Sequence, residues 1–152
     1  MKTQKSNLNE KLTEHFTLRE MTVSGLAVRL EMRNYPSPAV KERLKALCEH
    51  ILEPLTRRFG KIRVVDSYRS QRLNIVMRGA KHSQHVLGEA ADIHVSSVEQ
   101  ALLMMTFIKE HLDYDHLMLE RIMKNGCCWL HVSYVAQPGR RSNKRCLEFR
   151  NR

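Results

Sequence analysis

At 152 residues with 42% apolar content, the chain is sized for one domain with an ordinary core, which excludes wholesale disorder. Its 26 Lys and Arg against 16 Asp and Glu give a formal charge of +10, so the surface either favours a polyanion or is simply kept soluble by like charge. No apolar run reaches about 18 residues, and the opening MKTQKSNLNEKLTEHF has no apolar stretch after its lysines. Neither a membrane span nor a secretory signal is therefore expected, and the product is expected in the cytoplasm when synthesised. Cys48, Cys127, Cys128 and Cys146 follow neither a disulfide framework nor zinc-knuckle spacing, so free thiols are expected.

In chain order, residues 1–15 read as a polar tail, poorly ordered through Glu14, and 16–152 as a single domain with a basic C-terminal segment. Thr17-Leu18-Arg19-Glu20 has the form of a capping box, predicting a short helix that ends before Gly25. Val23 to Tyr35 has no firm period and reads as loop. Ser37 and Pro38 then open the main amphipathic helix, with Val40, Leu44, Leu47, Cys48, Ile51, Leu55 and Phe59 at helical spacing. Pro54 is placed to kink it and Gly60 to stop it.

Ile62 to Asp66 reads as a short buried strand, and Ser70 as the cap of a short helix through Asn74 and Val76. Gly79 to Gly88 is expected to be a loop carrying His82, Ser83 and His85, followed by a strand from Ala90 to Val95 with Asp92 and His94 on one face. Ser96 or Ser97 caps a helix to about His111 with an apolar stripe of Val98, Ala101, Leu102, Met105, Ile108 and Leu112, its methionines being ordinary core. His116 to Glu120 and Cys128 to Tyr134 form strands joined at the Asn125-Gly126 turn signal, a hairpin that brings Glu120 toward His131. Gln137 opens a turn and a basic stretch, after which Cys146 to Phe149 reads as an edge strand or part of a flexible tail.

The densest polar chemistry lies in Tyr68 to Val95. His85 and Asp92 there are a natural pair of zinc ligands, and a catalytic zinc usually takes three protein ligands. The best third candidate is His131, which shares a strand face with Trp129 and Ser133. His94 rivals it by geometry, His82 by proximity, and Cys127 or Cys128 by chemistry. Charge clusters nearby, since Arg57 to Lys81 holds eight basic residues against Asp66 alone, and Arg140 to Arg152 holds six against Glu148.

Four blocks in order, Ser67-Tyr68-Arg69-Ser70, Leu73-Asn74, Ser83-Gln84-His85-x-x-Gly88-x-Ala90-x-Asp92 and Trp129-x-His131-Val132-Ser133, resemble the zinc D-alanyl-D-alanine carboxypeptidases and phage-endolysin peptidases of the hedgehog/DD-peptidase fold. The resemblance spans Phe16 to Tyr134, including Phe16-Thr17-Leu18-Arg19-Glu20-Met21. It implies an α+β fold, a small antiparallel sheet flanked by helices, with one zinc held by His85, Asp92 and His131. It implies that Arg69 grips a substrate carboxylate or stabilises charge on a carbonyl oxygen, against the bland reading of an ion pair. Ser83 would bond the site loop or substrate and not serve as a nucleophile.

Several branches of that family carry an acidic general base three positions before the last histidine, where this chain has Cys128. The most similar subgroup instead carries a glutamate at the end of the preceding strand, which matches Glu120; the bland alternative is a surface salt bridge with Arg121 or Lys124. The implied substrate is a peptidoglycan stem peptide cut near D-amino acids, by a carboxypeptidase or an endolysin-type endopeptidase. The competing reading is a non-catalytic binding module that keeps the metal site and uses its basic surface to hold an anionic polymer, nucleic acid or cell-envelope polymer, an alternative that Cys128 at the usual base position supports. One tryptophan and no nucleic-acid motif argue against base-specific recognition, and oligomeric state is not legible in the sequence.

Overall fold

The computed structural model describes residues 7–137 and the backbone of residues 145–150. Residues 1–6 and the basic segment 138–144 lie outside the described residues. The stretch read as a disordered tail is docked from residue 7 onward. Leu12 is buried, Leu8 packs on the core, and Lys11 bridges Thr17 across a tight reversal in which Leu12 N donates to the Phe16 carbonyl at 2.9 Å. Two leucines spaced four apart in a polar stretch are enough to seat it when a buried acceptor, Glu53, waits beneath.

Helix α1 (Leu18–Thr22) starts where the capping box predicts, Thr17 accepting from Glu20 N. A second short helix, α2 (Gly25–Arg29), follows, capped by Ser24 accepting from Ala27 N. This corrects the loop expected for Val23 to Tyr35; one helical turn is too short to display a period.

Helix α3 (Pro38–Leu47) runs into a π turn over Cys48–Leu52 and then α4 (Glu53–Phe59), which Gly60 ends at φ +87°. Pro54 has no N–H to offer the fourth residue back, and the preceding backbone widens so that Glu53 N donates to the Cys48 carbonyl instead. At the predicted kink stands a π turn that ends two residues ahead of the proline.

The sheet runs in the order β1 (Arg63–Asp66), β2 (Ala90–Val95), β4 (Cys128–Ser133), β3 (His116–Glu120) and β5 (Arg145–Arg150). The first four are antiparallel neighbours, as expected of an α+β fold, and β5 adds a parallel edge beside β3. One sheet face, with Ile93, Leu117, Leu119, Leu130 and Val132, joins Leu44, Leu47, Ile51, Leu52 and Leu55 and helix α7 (Val98–His111) in one core. Ser97 caps α7, whose buried residues are Ala101, Met104, Met105 and Ile108, while Leu102 is 37% exposed. Both methionines are core, as expected, and the departure from the predicted stripe is Leu102, which faces outward while Met104 meets the sheet.

The opposite sheet face carries Asp92, His116, Met118, Glu120, Trp129 and His131, and two short helices, α5 (Gln71–Val76) and α6 (Gln84–Leu87), close over it. Helix α6 corrects the loop expected for Gly79 to Gly88, with Ser83 as its cap and Gly88 as its left-handed end. Among the described residues no helix is long and apolar enough to cross a membrane.

Candidate metal centre

Asp92 and His131 are direct partners in the β2/β4 register, so their side chains emerge side by side on one face. His131 Nδ1 lies 2.8 Å from Asp92 Oδ1. His85 arrives from α6, where Gly88 does two things that no other residue can do. Its φ of +76° turns the chain out of the helix, and a Cβ there would stand 2.8 Å from both Val40 Cγ1 and the Val40 carbonyl. The glycine thereby lets α6 lie against α3 and aims His85 inward.

His85 Nδ1–H donates to the Ser67 carbonyl at 2.7 Å, which leaves the Nε2 lone pair facing Asp92 Oδ2 at 3.4 Å. All three residues are at most 9% exposed, and their donor atoms lie within 4.8 Å of one another. Burial pushes the Asp92 carboxyl up, but the His131 and His85 bonds and charges overcome it and hold it far below the usual carboxylate range. Burial lowers the His85 imidazole, and Asp92 and Asp66 raise it to a net value above the ordinary one.

This donor set fits a zinc ion. Two nitrogens and one anionic oxygen converge, one imidazole has its tautomer fixed by a backbone acceptor, and ligands about 2.0–2.1 Å from a tetrahedral ion stand roughly 3.3–3.4 Å apart, as His85 Nε2 and Asp92 Oδ2 do at 3.4 Å. The rivals do not join them. Among the described residues His82 and His94 are outside the cluster, as are Cys127 and Cys128. Cys128 is fully buried with Sγ 3.6 Å from the Ser97 carbonyl; three residues from His131 in a regular strand is an odd offset, which puts it on the core face.

The three donors line a cleft of about 450 Å³ that also holds Asp66, Arg69, Ser83, His116, Met118, Glu120 and Trp129. Arg69 is seated by its own backbone and its neighbours'. Arg69 N donates to the His85 carbonyl at 3.1 Å and Ser70 N to Asn34 Oδ1 at 2.8 Å, while Asn34 Nδ2 donates to the Thr22 and Tyr68 carbonyls. Asn34 lies in the stretch read as featureless, and nothing local in the sequence marks it as the staple that holds Tyr68-Arg69-Ser70. Ser83 Oγ accepts from His85 N at 3.2 Å and borders the cleft.

Glu120 also lines the cleft, diagonal to His131 across the hairpin, since Met118 pairs with His131 and Glu120 with Trp129. Among the described residues it forms no ion pair with Arg121 or Lys124; Arg121 instead lies over the Trp129 ring at 4.8 Å. Asp66 was missed as a site residue, although it is the lone acid of a strongly basic stretch. Its carboxyl is raised by burial, against the lowering influence of His85 and Arg69.

No curated protein matches the chain. A family model described as Peptidase M15 matches residues 14–127, from the docked N-terminal segment to the turn before β4. The match stops short of His131, so the third donor rests on the strand register and on its contact with Asp92. With three quarters of its length matched, and with a His-Asp-His cluster at the heart of an α+β sheet, the chain belongs to the peptidase M15 family of zinc-dependent peptidases.

Proposed function

We propose that this protein is a zinc peptidase that hydrolyses peptidoglycan stem peptides next to D-amino acids, with the metal held by His85, Asp92 and His131. The observation that carries the reading is the meeting, in one cleft, of a buried three-donor cluster, the Arg69 side chain and a Glu120 carboxylate that makes no ion pair among the described residues. When bound, zinc supplies Lewis-acid polarisation of the scissile carbonyl and acidifies water to a pKa of about 7. The chain's own residues do the rest. Asp92 stays ionised between two imidazoles, and the Ser67 carbonyl keeps the His85 lone pair on the site side. Arg69 meets the substrate's carboxylate or carbonyl oxygen with its planar fork. Glu120 takes a proton from the attacking water as the C–O bond forms, and returns it to the amine nitrogen as the C–N bond breaks.

The same arrangement serves a terminal D-alanine or an internal bond, the difference being whether a free C-terminal carboxylate reaches Arg69. Around the cleft, Arg72, Arg78, Lys81, Arg121 and Lys124 are exposed, and residues 67–88 and 121–130 contain no acid. This rim suits an anionic cell-envelope polymer as a second contact, reached after lysis or by another export route. The competing non-catalytic module would keep the same three donors and use the basic rim, and it is set apart from the peptidase by Glu120, which lines the cleft and has no task in it.

The deciding experiment compares wild type with Glu120→Gln at matched zinc occupancy on purified stem peptides with terminal and crosslinked D-alanine. Loss of a general base lowers turnover by about 100- to 10,000-fold while zinc content and melting temperature hold. Equal turnover removes Glu120 from the mechanism, and no turnover by wild type on either substrate favours the binding module.

A further inference from the structure

Asp66 has no task in the reaction just described, yet its placement is costly. Strand β1 pairs Arg63 with His94 and Val64 with Ile93, and then slips so that Asp66, and not Val65, stands opposite Asp92. Without that bulge Asp66 would face Ala91 on the core side of the sheet; with it, the carboxylate is turned into the cleft. The result sets two acidic residues directly across from each other, an arrangement that repels unless cations intervene.

The intervening cation nearest Asp66 is Arg69. Asp66 Oδ2 lies 3.3 Å from Arg69 Nε, with the two side chains only 17% and 11% exposed. The contact is an ion pair without linear hydrogen-bond geometry, and Arg69 Nε has no other partner among the described residues. His85 Nδ1 is also near, at 3.6 Å, but its proton already goes to the Ser67 carbonyl at 2.7 Å. On the other side of the guanidinium stands Gly79, where a Cβ would lie 2.8 Å from Arg69 Nη1 and 2.1 Å from Asn74 Oδ1. Arg69 thus has a carboxylate at Nε and the Gly79 backbone beside Nη1, where an added Cβ would force Asn74 or Arg69 to shift.

We propose that Asp66 is the positioning residue for Arg69, anchoring the guanidinium through Nε so that its terminal nitrogens are the ones offered to substrate. The assignment rests on the peptidase reading for its functional consequence and on geometry alone for the anchor itself. A guanidinium free to swing loses alignment, and misplacement by about 1 Å costs up to about 100-fold.

The test uses Asp66→Asn, which keeps volume and removes the repulsion opposite Asp92, with Asp66→Ser as a second variant should the first fail to fold. Arg69→Lys and the double variants complete a cycle. Two readouts are taken on the full chain. In nuclear magnetic resonance, the Arg69 Nε–H signal is immobilised in wild type and becomes mobile and fast-exchanging in Asp66→Asn. In stem-peptide hydrolysis, Asp66→Asn lowers kcat/KM about 10- to 100-fold with zinc content unchanged, and has little further effect in the Arg69→Lys background. An Arg69 Nε–H signal that stays immobilised overturns the proposal. So does a kinetic loss of equal size in both backgrounds, or one that tracks loss of zinc, which would place Asp66 behind His85 instead. A wild type inert on all stem peptides refutes the peptidase reading, while the resonance still decides the anchor.

Discussion

Glu53→Gln is a sharp test of how this fold holds its N-terminal segment over the core. The Glu53 carboxylate is 5% exposed and accepts three bonds from one short stretch: Thr13 Oγ1 at 2.6 Å and His15 N at 2.7 Å on Oε1, and His15 Nδ1 at 2.7 Å on Oε2. Bonds to a charged acceptor contribute about 1.5–3 kcal/mol each and neutral ones about 0.5–1.5 kcal/mol. Glutamine keeps the volume and the Oε1 acceptor but removes the charge and puts an amide N–H donor where Oε2 stood, so the two bonds on Oε1 weaken and the one from His15 Nδ1 is lost, about 1 kcal/mol each, part of which is offset by easier burial of the neutral amide. The net loss is about 2 kcal/mol. With an unfolding entropy of roughly 0.3 kcal/mol/K for a chain of this length, the melting temperature falls by about 6 °C.

The same substitution fixes the sign of a pH dependence. Burial pushes the Glu53 carboxyl up, but the Thr13 and His15 bonds outweigh it and the net value is lowered. A carboxyl lowered on folding contributes stability above its unfolded value of about 4.3 and loses it as pH falls through the folded one. Melting curves of wild type and Glu53→Gln, recorded by circular dichroism from pH 8 to pH 3, should therefore be separated at pH 7 and converge below about pH 4. Identical curves at pH 7, or a gap that widens on acidification, would refute the reasoning.

Purified protein should bind about one equivalent of zinc by metal analysis, and His85→Ala, Asp92→Ala and His131→Ala should each abolish tight binding; stoichiometric zinc in His131→Ala would move the third ligand elsewhere. Arg69→Lys keeps the charge but loses the fork, so kcat/KM on stem peptides should drop about tenfold or more, and unchanged kinetics would reduce Arg69 to a structural ion pair. Gly88→Ala meets both the left-handed φ of +76° and Val40 at 2.8 Å, and should cost about 2–4 kcal/mol in denaturant unfolding; a loss under 1 kcal/mol would mean that α6 shifts freely on α3.

Much of this molecule is written locally. Capping side chains at Thr17, Ser37, Ser70 and Ser97 mark helix starts because a cap acts on the first turn beside it. Alternation in Trp129 to Tyr134 identifies the face of His131, because the period of a strand is two. What needed tertiary structure was every property set by register or by a partner distant in sequence. The direct pairing of Asp92 with His131, the slip that turns Asp66 into the cleft, and the staple of Asn34 on Tyr68 and Ser70 all depend on which chains lie alongside. The short helices α2 and α6 were invisible to periodicity because a single turn has none, and the outward turn of Leu102 was decided by the surface that α7 packs against. Residue type left several candidate donors open and the family resemblance singled out His85, Asp92 and His131; their convergence belongs to the sheet, because strand pairing sets the distances between them.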